Sequence, residues 1–277
     1  MRNEGGFSLV EMLVAAACTG LLAAAVLTLL AGGAALGRTS MAAIEAQALA
    51  QAAVDALAVD LEQAGRGLEG AGECLSDGST VPVVQPLGAT AVRIVMALAE
   101  AIEVEPIEGP GRYRLASTNG IDSDGLVAGL GTPGAEPVAL LGRVRSVTRS
   151  RRGSRARMGV GEIAWAASEA RLIQTRGPVR ALLPVTLREL GTVRREGAVQ
   201  LRRRNQGGRW QPIVDGLEWV RIQYLVDEDG DGMPDGPPRE LDFTSAAGAI
   251  VGAHVAAAAR AGEARLQVAE RWVRIGR

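Results

Sequence analysis

About 26 consecutive residues without a charge, Met12 to Gly37, constrain this chain more than any other feature. At 1.5 Å of rise per residue, an apolar helix needs roughly 20 residues to cross a bilayer. The run is long enough to span. A cleaved secretory signal has a shorter apolar region, roughly 7–15 residues, so the length predicts an anchor retained in the mature protein. One acid, Glu11, stands immediately before the run, where a buried carboxylate costs up to roughly 2.5–3.5 kcal/mol at the membrane centre and less near the interface. Such an acid marks a functional position.

The surrounding residues, Gly5-Gly6-Phe7-Ser8-Leu9-Val10-Glu11-Met12-Leu13-Val14, place a glycine, an aromatic and an acid at fixed spacing ahead of the apolar run. This segment resembles the prepilin signature of type IV pilins and type II secretion pseudopilins. The resemblance implies a polar leader over Met1 to Gly6, a mature N-terminus at Phe7 and Glu11 as fifth mature residue. It also implies cleavage after Gly6 by a prepilin peptidase, methylation of the Phe7 amine, and pairing of Glu11 with the amine of a neighbouring subunit during assembly. A carboxylate offset by a nearby ammonium is the physical solution to burying that charge. The plainer reading is a single-pass membrane protein whose Glu11 reaches back to the interface. Other pilin or pseudopilin subunits, the prepilin peptidase, membrane lipid and an inner-membrane assembly platform are the implied partners. The implied location is the cytoplasmic (inner) membrane, with the globular part outside the cytoplasm or assembled into a pilus or pseudopilus.

Beyond Arg38, helix formers continue without Gly or Pro to Gln63, and Gly65 and Gly67 supply a stop. The pattern predicts one helix from about Ser8 to Gln63, roughly 80 Å long. Ile44, Ala48, Gln51, Val54, Leu57 and Leu61 form its expected apolar stripe. Four segments follow: a leader (1–6), the transmembrane half of the helix (7–37), its amphipathic half (38–65) and a β-rich globular domain (66–277). Short apolar runs broken by Gly and Pro predict strands at Thr80–Val84, Ala91–Met96, Gly111–Leu115, Pro137–Leu141, Trp219–Val226 and Ala249–Val255. Trp219–Val226 alternates most clearly, with Val220, Ile222, Tyr224 and Val226 on the face expected to be buried. Arg202 to Gly208 is expected at a charged hairpin tip. The fold class is α+β, an antiparallel sheet packed on a long helix. Hydrophobic residues make up 47% and aromatics only 3%, so the core is expected to be thin and built from small side chains.

A second motif, Asp227-Glu228-Asp229-Gly230-Asp231-Gly232-Met233-Pro234-Asp235, follows a predicted strand. Acids at alternate positions, a glycine at the sixth, a carbonyl at the seventh and an acid at the ninth reproduce the first part of an EF-hand loop. Asp227, Asp229, Asp231, Asp235 and the Met233 carbonyl are the expected Ca²⁺ ligands. Pro238 stands where an EF-hand has its bidentate Glu, so Glu240 or Asp242 would have to supply that carboxylate, and the competing reading is a solvated acidic turn. Similar loops recur in minor pilins and pseudopilins. Asn119, Asp122 and Asp124 form a sparser cluster, read as a plain turn.

The remaining residues narrow the function. All thirty basic residues are Arg, which reads as a codon-composition bias, and the near-zero formal charge of −1 argues against a general nucleic-acid binder. Arg143 to Arg157, including Arg149, Arg151, Arg152 and Arg155, lacks the interleaved aromatics of a base-stacking surface and reads as a solvated loop or subunit contact. Cys18 and Cys74 are too far apart in kind, one in the apolar run and one beyond it, to suggest a bridge. The only His, His254, sits in an apolar strand, and no nucleophile–base pair or phosphate loop is present, so the chain is not expected to be an enzyme. Its size and late Asp-rich loop resemble the PilW-type minor pilins, which implies a structural role in priming or capping a filament. A type II secretion minor pseudopilin and a monomeric membrane-anchored binding module are the alternatives.

Overall fold

The computed structural model describes residues 8–68, 73–76, 79–106, 112–115, 121, 125–130, 139–144, 146–149, 161–164, 179–241, 249–262 and 265–275. It opens with one unbroken helix, α1, Leu9–Glu62, of 54 residues. Ser8 is its N-cap and Gln63 its C-cap, so the helix occupies the stretch its sequence predicts. The chain leaves α1 through Gly65, whose φ of +71° suits only glycine and whose hypothetical Cβ would lie 2.6 Å from Val83 Cγ1.

The described strands are β1 (Glu73–Ser76), β2 (Ser79–Pro82), β3 (Val84–Pro86), β4 (Val92–Ala97), β5 (Ile102–Pro106), β6 (Arg112–Leu115), β7 (Leu126–Leu130), β8 (Ala139–Arg143), β9 (Ser146–Arg149), β10 (Gly161–Ala164), β11 (Ala181–Arg195), β12 (Ala198–Asn205), β13 (Gln211–Asp227), β14 (Ala249–Ala259) and β15 (Gln267–Arg274). They join in one sheet whose main path runs β15-β14-β13-β12-β11-β5-β6-β10-β9. Pairing is antiparallel except between β1 and β8. The α+β expectation therefore holds, a long apolar helix followed by an antiparallel sheet.

The second half of α1 lies across β13, β14 and β15. Its buried side chains are Ala46, Ala50, Ala53, Val54, Leu57, Ala58, Asp60 and Leu61. They meet Val220, Ile222, Tyr224, Ala253, Val255, Ala257, Ala269 and Val273 in one core. Each fully buried Leu contributes about 1.5–3 kcal/mol, and the alanines on both sides contribute little each. The expected stripe holds at Val54, Leu57 and Leu61, which are buried, whereas Ile44, Ala48 and Gln51 are exposed. In that earlier stretch the sheet-facing positions are Ala46, Ala50 and Ala53, small residues that sequence reading does not single out. On β13 all four predicted side chains, Val220, Ile222, Tyr224 and Val226, are buried. The Tyr224 hydroxyl is buried without a hydrogen-bond partner, and burial pushes its ionisation well above the ordinary phenol range.

The predicted run Thr80–Val84 is interrupted at Val83 and divides into β2 and β3. Residues 202–205 form the end of β12, not a hairpin tip, and only Gln206 to Gly208 turn. Arg204 is held there by Glu189 of the adjacent strand, with Nε and Nη2 at 2.7 and 2.6 Å from Oε2. Arg202 and Arg204 also stack on Trp210, at 5.2 and 4.7 Å from the ring centroid.

Candidate functional site

Two regions carry the candidate function, one at the start of α1 and one in the loop after β13. Gly6 and Phe7 lie outside the described residues. Glu11 occupies the first turn of α1, where its carboxylate accepts the Ser8 backbone N–H at 3.0 Å and the Ser8 hydroxyl accepts the Glu11 N–H at 3.4 Å. This reciprocal cap places a negative charge at the positive end of the helix dipole. From Leu9 to Gly37 the helix is exposed all round, Leu9, Val10, Met12, Leu13, Leu21, Leu22, Leu27 and Leu30 included. It is the one described helix long and apolar enough to cross a membrane. Cys18 on this segment is a free thiol. An apolar helix exposed over more than five turns requires lipid or other helices around it.

The acidic loop leaves β13 at Asp227, which is buried, and returns along the same strand. Asp235 N donates to Val226 O at 2.9 Å, and Tyr224 and Arg239 exchange backbone hydrogen bonds of 2.7 and 3.0 Å. Within the loop the carboxylates accept backbone N–H groups. Asp227 Oδ1 and Oδ2 take Gly230 and Gly232 at 2.7 and 2.8 Å, and Asp229 Oδ1 takes Asp231 at 3.1 Å. Asp235 Oδ2 takes Glu228 and also Asp229, the latter at 3.3 Å. Gly232 provides the predicted sharp turn with φ of +84°. Carboxylate oxygens of Asp227, Asp229 and Asp235 come within 4.8 Å of one another, the spacing a shared divalent cation requires.

Not every predicted ligand joins this group. Asp231 turns to Met233, accepting its N–H at 2.7 Å. Glu240 pairs with Arg221 at 3.1 Å, and Glu228 pairs with Arg239. Asp242, Asn119, Asp122 and Asp124 lie outside the described residues, as do residues 150–157 of the Arg-rich stretch. His254 is held by neighbours: Nδ1 is 3.4 Å from Gln223 Oε1, Nε2 is 3.4 Å from Glu270 Oε2, and the ring stacks on Trp272 at 4.5 Å.

Sequence reading missed the ion pairs that dock the helix. Asp60 pairs with Arg188 of β11, and Arg271 of β15 reaches both Asp55 and Glu62, at 3.4 and 2.8 Å. Only the spacing of Asp55 and Glu62, two turns apart on one helix face, hinted at a shared partner.

Residues 1–34 match the family model of the prokaryotic N-terminal methylation motif. No curated protein and no solved structure shows a significant match to the chain. The matched segment contains the Gly6–Phe7 junction, Glu11 and most of the exposed apolar half of α1, and the sheet domain follows it. With the motif at one end and the helix-borne sheet behind it, the chain carries the prokaryotic N-terminal methylation motif on a helix-then-sheet fold, which supports a type IV pilin-like prepilin.

Proposed function

We propose that this subunit is a minor pilin that primes or caps a type IV pilus, with a calcium ion stabilising its acidic loop. The observation that carries the reading is the division of α1. Its first half is exposed and apolar, suited to lipid and then to neighbouring helices. Its second half is committed to the core of the subunit's own sheet domain. A filament subunit needs both, whereas a monomeric anchored module needs no acid at Glu11. The large sheet domain and late acidic loop favour the minor-pilin reading over a small, repeated major subunit. Glu11→Ala should leave membrane insertion and cleavage intact while incorporation into sheared filaments falls severalfold. Unchanged incorporation would remove the assembly role of Glu11.

In the acidic loop, Asp227, Asp229 and Asp235 would hold the ion, and calcium would supply the positive charge that three converging carboxylates lack. No Glu stands at the twelfth position, so the affinity belongs with weak extracellular sites, about 10⁻⁴–10⁻³ M. Millimolar Ca²⁺ should raise the melting temperature of the detergent-solubilised chain by mass action, and Asp229→Ala should abolish the rise. A calorimetric titration without heat, together with an unchanged melting temperature, would reduce the loop to an acidic turn.

A further inference from the structure

β15 closes one side of the sheet. β14 pairs with it along its whole length, from Gly252↔Arg274 to Ala259↔Gln267, without a register shift. No strand pairs on its other side among the described residues. An antiparallel edge strand points the N–H and C=O of alternate residues outward, a row of donors and acceptors that another main chain satisfies best. Proteins usually blunt such an edge with proline, a bulge or a very short strand. β15 has eight residues, Gln267-Val268-Ala269-Glu270-Arg271-Trp272-Val273-Arg274, and none of these backbone devices, although Glu270, Arg271 and Arg274 place charge on it.

Its side chains are unusual for a solvent edge as well. Outside α1, the large apolar residues exposed among the described positions are Leu87, Leu98 and Met233, scattered singly, and Leu266, Val268 and Trp272, all at β15. Trp272 is 57% exposed yet pinned by His254 at 4.5 Å, so its ring is ordered before anything binds. A rigid, exposed aromatic is the usual centre of a binding surface. On the other face, Arg271 bridges Asp55 and Glu62, and the exposed Val59 lies between those two at i+4 and i−3. The edge is therefore continuous with the outer side of α1, the helix whose exposed apolar half must be covered by lipid or by other subunits.

We propose that the β15 edge receives an extended segment of an adjacent pilin subunit, which adds a strand to the sheet at Gln267–Arg274. Val268 and Trp272 anchor that strand, while Glu270 and Arg274 select its register by charge. The proposal rests on the reading of the chain as a filament subunit.

Hydrogen exchange followed by mass spectrometry tests it on the full chain, in detergent and in sheared filaments. In detergent, the outward amides of residues 267–274 should exchange rapidly. In filaments their exchange should slow by about tenfold or more. A Val268→Lys, Trp272→Lys double variant removes both anchors and the Trp272 stack on His254, so a retained cooperative melting transition establishes that it folds, and it should show little of that protection. If the chain is present in filaments and β15 exchanges as fast as in detergent, strand addition is wrong and the subunit reading stands. If the chain is absent from filaments, the subunit reading fails and takes this proposal with it.

Discussion

At Glu189 three strands are tied by one carboxylate. Arg93 of β4 donates to Oε1 from Nε and Nη2 at 2.9 and 2.6 Å, and Arg204 of β12 donates to Oε2. Arg93 also reaches Gln85 Oε1 at 3.0 Å. Burial by itself would raise the Glu189 carboxyl, but the hydrogen bonds and charges of Arg93 and Arg204 outweigh it and hold the carboxyl below its ordinary value. The depressed folded value means that Glu189 stabilises the fold above the unfolded-state pKa, about 4.3, and that this contribution is lost as pH falls through the lower folded value. Glu189→Gln should lower the urea midpoint at pH 7 by the equivalent of about 2 kcal/mol and flatten the stability loss on acidification below about pH 4. A parallel acid profile for variant and parent would show that this carboxylate is not the responsible group. None of this cluster was legible from sequence, since Arg93, Glu189 and Arg204 are joined by strand register alone.

At the scale of elements, α1 and β13 were the most readable parts, and β4, β6, β8 and β14 also fall on predicted runs. The helix was visible because its apolar run, the helix formers that continue it and its glycine stop agree with one another. β13 was visible because one face is buried and the other is not, which forces alternation from Trp219 to Val226. The predicted strand was nevertheless half the true length, because β13 begins at Gln211 and passes Gly216, which sequence reading takes for a break. β11 escaped for a similar reason: Pro184 and Gly191 interrupt its pattern, although the strand runs 15 residues by pairing with β12, β4, β7 and β5 in turn. β12 escaped because its arginines look like a solvated loop until Glu189 and Trp210 are placed beside them. The helix and sheet are joined not only by small apolar contacts but by Asp60, almost fully buried against Arg188. Asp60→Ala leaves a partly buried guanidinium without its acid and should cost about 3 kcal/mol in urea unfolding, whereas Asp60→Leu with Arg188→Met should restore most of it. Equal losses in the single and double variants would show that packing, not the ion pair, is what matters there.

Across the whole molecule, the candidate sites sit on opposite parts of the fold and act in different surroundings. The N-terminal cap with Glu11 belongs to the apolar, exposed half of α1, and the acidic loop belongs to the far end of β13 in water. The acidic residues of the loop were readable one by one, and so was its turn at Gly232. Which carboxylates converge was not, because that depends on Asp231 turning to Met233 and on Asp235 folding back to Val226. What unites the two ends is the order of events expected of a pilin-like prepilin: insertion, cleavage, methylation, then packing against neighbours. Cleavage after Gly6 would create the amine whose partner Glu11 would become, so the junction is the most informative position in the chain. Gly6→Ala should keep the precursor uncut in the membrane. The most direct measurement is the mass of the N-terminal peptide from cells with an active prepilin peptidase: the account predicts a peptide beginning at N-methylated Phe7, and an intact Met1 terminus would contradict it.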